Sequence, residues 1–154
     1  MPEGTEENTV GEATQDVSEN TAQDKAPQDK ASGPGRILVA VYAIFALAAT
    51  SRAAVQISTK FHEAPLAYVL SAFAAVVYLL ATVALARRGA GWWRIALLAC
   101  GIELIGVLTV GTFSLFDREA FPHATVWSVY GQGYLFIPLV LPVIGLFWLR
   151  RTKP

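Results

Sequence analysis

Four apolar runs fill residues 37 to 149 of this chain, and they leave little choice of fold. A run of roughly 20 apolar residues covers a hydrocarbon core about 30 Å thick, and runs of that length exceed what a soluble core helix needs. The spans are placed at 37–57, 65–86, 92–113 and 130–149. The expected fold is an all-α membrane protein, a bundle of four transmembrane helices at 36–154 behind a separate N-terminal segment. A cleaved signal peptide is the competing reading of the first span, since Ala46-Leu-Ala48 resembles a cleavage site. The preceding region is long and acidic, and the apolar run continues to Ile57, so the span is read as retained.

Charge divides the chain in two. Residues 1–35 hold eight acids against Lys25 and Lys30, a net of −6, whereas residues 36–154 carry a net of +6. The first part contains almost no apolar residues and a tandem repeat, Ala22-Gln-Asp-Lys-Ala26 followed by Pro27-Gln-Asp-Lys-Ala31. Such a segment cannot bury enough surface to offset its chain entropy, so residues 1–35 are expected to be a disordered acidic tail. Ser32-Gly33-Pro34-Gly35 then reads as the hinge into the membrane.

Basic residues near span ends set the orientation. With four alternating spans, Lys25, Lys30, Arg36, Arg87, Arg88, Arg94, Arg150, Arg151 and Lys153 share one side, against Arg52, Lys60 and Arg118 on the other. Nine against three places both termini in the cytoplasm of a multi-pass plasma-membrane protein. The aromatic belts follow that frame: Trp92, Trp93 and Trp148 for the inner interface, Trp127, Tyr130 and Tyr134 for the outer one.

Within lipid, helices associate through close packing of small residues. The first span offers Ala46, Thr50 and Ala54, and the second Ala67, Ser71 and Ala75. The fourth contains Pro138 and Pro142 one turn apart. Each proline removes a backbone donor and obstructs a carbonyl one turn back, so a helix kink is expected there.

The third span holds a lone acid, Glu103, near its middle. A charge at bilayer depth costs about 3 kcal/mol on insertion scales and marks a functional or locking position. Its face carries Ala96, Ala99, Cys100, Gly106, Val107 and Val110, mostly small, so Glu103 is expected to face another helix. The one cation available within a span is Arg52. Both spans run outward, with Glu103 about 15 Å and Arg52 about 22 Å from their helix starts. The expectation is an intramembrane charged pair; the alternatives are a protonatable relay group and a neutral carboxyl.

Outside the spans, His62, Glu63 and His123 are weak outer-face candidates; their spacing resembles no metal motif, and no metal site is assigned. No histidine lies within a span to clamp a haem, and the single Cys100 excludes a disulfide or a two-cysteine relay within the chain. There is no Gly-rich phosphate loop, nucleophile elbow or paired carboxylate, so neither a catalytic set nor a cofactor is assigned. The expected partners are the lipid bilayer and a membrane protein or second copy, with no nucleic acid.

Three stretches, Thr59-Lys-Phe-His-Glu-Ala-Pro-Leu-Ala-Tyr68, Thr125-Val-Trp-Ser128 and Ile137-Pro-Leu-Val-Leu-Pro142, resemble small actinobacterial four-span integral membrane proteins of unknown function. That resemblance covers residues 37–151 and implies no activity, substrate or cofactor. Four-span small multidrug transporters also embed a glutamate, but in the first span rather than the third, so that family is not adopted. The leading expectation is a non-enzymatic accessory or interaction protein. A small proton- or ion-coupled transporter using Glu103 comes second, and an intramembrane lipid-modifying enzyme third.

Overall fold

The computed structural model describes residues 32–154, and they form an all-helical membrane bundle. Helix α1 is Ser32–Lys60, α2 is Pro65–Ala86, α3 is Ala90–Phe116 and α4 is Ile137–Arg151, with a 3-10 segment, Ser128–Tyr134, ahead of α4. Helices α1, α2 and α3 are each long and apolar enough to cross a membrane, and α4 joined to the bent segment before it makes a fourth candidate span. The acidic segment read as disordered lies outside the described residues, apart from its last positions.

Local chemistry explains most helix ends. After α1 the Glu63 N–H bonds to the Lys60 carbonyl at 2.9 Å, closing a turn. Pro65 then opens α2, where a missing N–H costs nothing because the first helical donors have no partner in any case. Arg87 leaves α2 with extended backbone, and Gly89, at φ +118°, turns the chain into α3. The Asp117 N–H bonds back to Phe113 at 2.9 Å to close α3.

The second span has the limits expected of it, 65–86. Helices α1 and α3 run further than their apolar cores, because nothing at Ser32–Arg36, Ser58–Lys60 or Ser114–Phe116 breaks the hydrogen-bond ladder. The supposed hinge at residues 32–35 is therefore the first turn of α1.

The fourth span differs more. Its helix begins at Ile137, not near Tyr130, and the segment Ser128–Tyr134 is bent from it by 99°. Leu135 and Phe136, at φ 56° and 58°, break the chain before Pro138, so the change of direction precedes the prolines. Pro138 sits in the first turn of α4, and only Pro142 is interior to it. Fifteen residues rise about 22 Å, short of a full hydrocarbon core, and the segment before them runs nearly at right angles to α4 rather than continuing it.

Packing follows small residues, though not always the expected ones. Ala67, Ser71 and Ala75 of α2 are buried as predicted, and so are Ala96, Ala99, Cys100, Val107 and Val110 of α3. On α1 the buried alanines are Ala46, Ala49 and Ala53, whereas Thr50 and Ala54 are exposed. The interior face of α1 is held by alternating steps of three and four residues.

Both ends of the bundle are tied. At one end, which gathers Arg36, Arg87, Arg88, Arg94, Arg150 and Arg151, Trp93 donates its indole N–H to the Leu149 carbonyl at 2.9 Å. There Trp148 lies against Gly35, where an added Cβ would come within 2.6 Å of the ring, and Arg87 covers Trp92 at 4.6 Å. The other end carries the long connection 117–136. Trp127, expected at that interface, is instead 1% exposed and forms part of the core. Its ring fills the space left by Gly106 of α3, where an added Cβ would approach it to 2.6 Å.

Candidate functional site

Glu103 lies midway along α3 and is wholly buried, at 0% exposure. Apolar neighbours on its own helix put it on the interior face, and side chains from other elements close around it. Tyr42 of α1, also 0% exposed, donates its hydroxyl proton to Glu103 Oε2 at 2.7 Å. Because that phenol has one proton, its 3.4 Å contact with Cys100 Sγ is best satisfied by the thiol donating to the Tyr42 oxygen. A directed chain runs from Cys100 through Tyr42 to the carboxyl.

Tyr78 of α2 stands beside Tyr42 and accepts the Trp127 indole N–H at 3.3 Å. Its ring lies 6.2 Å from that of Tyr42 and 5.7 Å from that of Phe45. Helix α4 closes the site with Gly145, where an added Cβ would meet Cys100 Sγ at 3.0 Å and the Tyr42 hydroxyl at 3.3 Å. The second carboxyl oxygen, Glu103 Oε1, is buried without any hydrogen-bond partner. Buried polar atoms are nearly always paired, and among the described residues the side-chain exceptions are this oxygen and Gln56 Oε1.

Arg52 and Glu103 are not brought together. Arg52 turns toward the long connection, donating through Nη1 to the Tyr134 hydroxyl at 2.8 Å and through Nη2 to the Ala124 carbonyl at 2.7 Å. Among the described residues the close basic–acidic contacts are Lys60–Glu63 and His123–Glu63, and neither involves Glu103. The physical reason is position: Arg52 lies further along its helix, where carbonyl and phenol acceptors are nearer than the buried carboxyl. Its role is to fasten a strained segment. Val129, Tyr130, Leu135 and Phe136 all have left-handed backbone, which costs on the order of 1–3 kcal/mol per residue. Ser114 Oγ assists by accepting the Val129 N–H at 2.8 Å.

This separation sets an expected result. In a cycle of Arg52→Gln, Glu103→Gln and the double variant, thermal unfolding in detergent should give losses that add within about 0.5 kcal/mol, as for sites without shared partners. Recovery of stability in the double variant would restore the ion pair as a real interaction.

The outer-face candidates have a structural arrangement. His123 Nε2 lies 3.3 Å from Glu63, and its ring stacks on Tyr68 at 6.0 Å, so the 117–136 connection is held against the α1–α2 turn. His62 stands edge-on to Phe61 at 6.2 Å, away from that pair. Among the described residues no group of three or more His, Cys, Asp or Glu side chains could hold a metal ion.

Tyr42, Tyr78, Trp127 and Gly145 complete the site, and the sequence reading assigned none of them to it. Two carried a signal: Tyr42 and Tyr78 stand inside apolar spans rather than at their ends, and a buried phenol needs a hydrogen-bond partner. The position of Gly145 carried none, since its close approach depends on how α4 packs. No protein-family model matches the chain, and neither a curated protein nor a solved structure is similar to it at a significant level.

Proposed function

We propose that this protein is a non-enzymatic accessory or interaction protein of the plasma membrane, with both termini in the cytoplasm. The observation that carries this reading is the complete burial of Glu103 behind Tyr42, Tyr78 and Gly145. A group that works on a solute or a lipid must meet it, and the one intramembrane acid instead meets its own bundle. The hydrogen bonds of Arg52, Ser114, Trp93 and Trp127 likewise tie one element to another. Large apolar residues such as Leu98, Ile105 and Phe116, at 65%, 67% and 86% exposure, lie on the outer surface of the bundle, where lipid, a membrane partner or a second copy covers them.

Purification after mild solubilisation should retain a stoichiometric membrane partner. Movement of protons or a solute into liposomes by the purified protein alone would overturn this reading. It would favour the second one, a small proton- or ion-coupled transporter, which draws its support from the unpaired Glu103 Oε1.

The orientation rests on the basic end of the bundle, by the positive-inside rule. Single cysteines replacing Gly4 and Pro154 should resist an impermeant thiol reagent in intact cells, and one replacing Ala120 should react. Labelling at Gly4 or Pro154 in unbroken cells would reverse the assignment.

A further inference from the structure

We propose that Glu103, with the hydroxyls of Tyr42 and Tyr78, forms a binding site for one small monovalent cation held in the middle of the bundle. The inference goes beyond the accessory reading, because it concerns occupancy of the site and not transport through it.

Three observations lead there. The first is the unpartnered oxygen: Glu103 Oε2 has the Tyr42 hydroxyl at 2.7 Å, whereas Oε1 has nothing, although the residue is 0% exposed. The second is the lack of a paired cation among the described residues. Arg52 is committed to Tyr134 and Ala124, and the remaining described Lys and Arg residues stand at helix ends or in the connections between helices. A carboxylate taken out of water with neither counter-charge nor full hydrogen bonding is heavily penalised, so its charge calls for a balance that the described residues do not supply. The third is donor chemistry: carboxylate and phenol oxygens are hard donors that suit a small hard ion.

Around Glu103 stand Tyr42 from α1, which bonds it, Tyr78 from α2, whose ring lies 6.2 Å from that of Tyr42, Cys100 from its own helix, and the α4 backbone at Gly145. None brings a positive charge. Two ions share the required chemistry, a proton on the carboxyl and a sodium ion between the carboxyl and the phenols.

The test uses the full chain purified in mild detergent. Thermal midpoints are measured in sodium chloride and in choline chloride at equal ionic strength, from acid to neutral pH. In parallel, Glu103 is exposed to dicyclohexylcarbodiimide, which condenses with a carboxyl only in its protonated form, and the adduct is located by peptide mass spectrometry. With sodium as the ligand, the midpoint rises by about 3 °C or more in sodium over choline, and sodium suppresses any adduct. With a proton as the ligand, the adduct forms on Glu103 without regard to sodium. Glu103→Gln should lose both responses, and Tyr42→Phe, which removes a single oxygen, should weaken them; the second variant decides the matter if the first fails to fold. Equal midpoints in the two salts at every pH, together with an unmodified Glu103, would overturn the site. The accessory reading would be untouched by that result, since it depends on the partner and the liposome assay.

Discussion

Trp127→Ala should destabilise the bundle by about 3–5 kcal/mol, the range for removing a large aromatic side chain from a packed core. The indole is 1% exposed and is among the largest fully buried side chains. It occupies the space that Gly106 leaves on α3 and lies edge-on to Phe73 at 6.1 Å. Its N–H donates to Tyr78 at 3.3 Å, which places the ring between the long connection and the carboxyl site. Truncation would open a void on a helix that has no side chain to fill it, and would leave the 117–136 connection held chiefly by Arg52, Ser114 and the His123–Glu63 contact. Trp127→Phe should recover most of the packing and lose roughly 1 kcal/mol for the missing hydrogen bond. Thermal unfolding in detergent measures both, with protease sensitivity of residues 117–136 as a local readout. An alanine variant as stable as the wild type would show that this tryptophan is an interfacial belt residue after all.

A smaller but clear loss is expected from Gly145→Leu, by overpacking rather than by a void. Its Cβ alone would stand 3.0 Å from Cys100 Sγ and 3.3 Å from the Tyr42 hydroxyl. Leucine places three further carbons in the same space. Forcing extra methylenes into a filled core costs about 1–3 kcal/mol and sometimes more, and here the shift also disturbs the Tyr42–Glu103 hydrogen bond. Gly101 of α3 is the matched control, because an added Cβ there meets nothing within 4 Å. Gly101→Leu should therefore be close to neutral. Measuring both variants separates steric exclusion from the general effect of leucine in a membrane helix; equal midpoints for the two would mean that α4 does not approach Tyr42 and Cys100 this closely.

The sequence could be read for some elements and not for others, and the reason lies in what each depends on. Helix α2 was legible to the residue because its limits are chemical: Pro65 opens it, and Arg87-Arg88-Gly89 ends it. The interior face of α3 was legible because small residues recur beside Glu103 at helical spacing, and all of them except Gly106 are fully buried. The fourth span was legible only as apolar content. Hydropathy counts side chains and is blind to backbone direction, so it could not reveal that four non-glycine residues take left-handed backbone and turn the chain through 99°. Such strain persists only where surrounding contacts enforce it, here Arg52 and Ser114 from distant helices.

The helical class, the membrane setting and the interior placement of Glu103 follow from chain composition and from a period of 3.6 residues, both local properties. What each polar group does was settled by how the helices pack. Arg52 was the available cation for Glu103 when helix rise alone was considered, but packing gave it nearer acceptors in Tyr134 and Ala124. The carboxyl was left with a single phenol, Tyr42, sixty-one positions away in the chain. Trp127 looked like an interfacial residue until Gly106 offered it a place in the core. Partners this far apart in sequence are chosen by which helix faces meet, and no local pattern encodes that meeting.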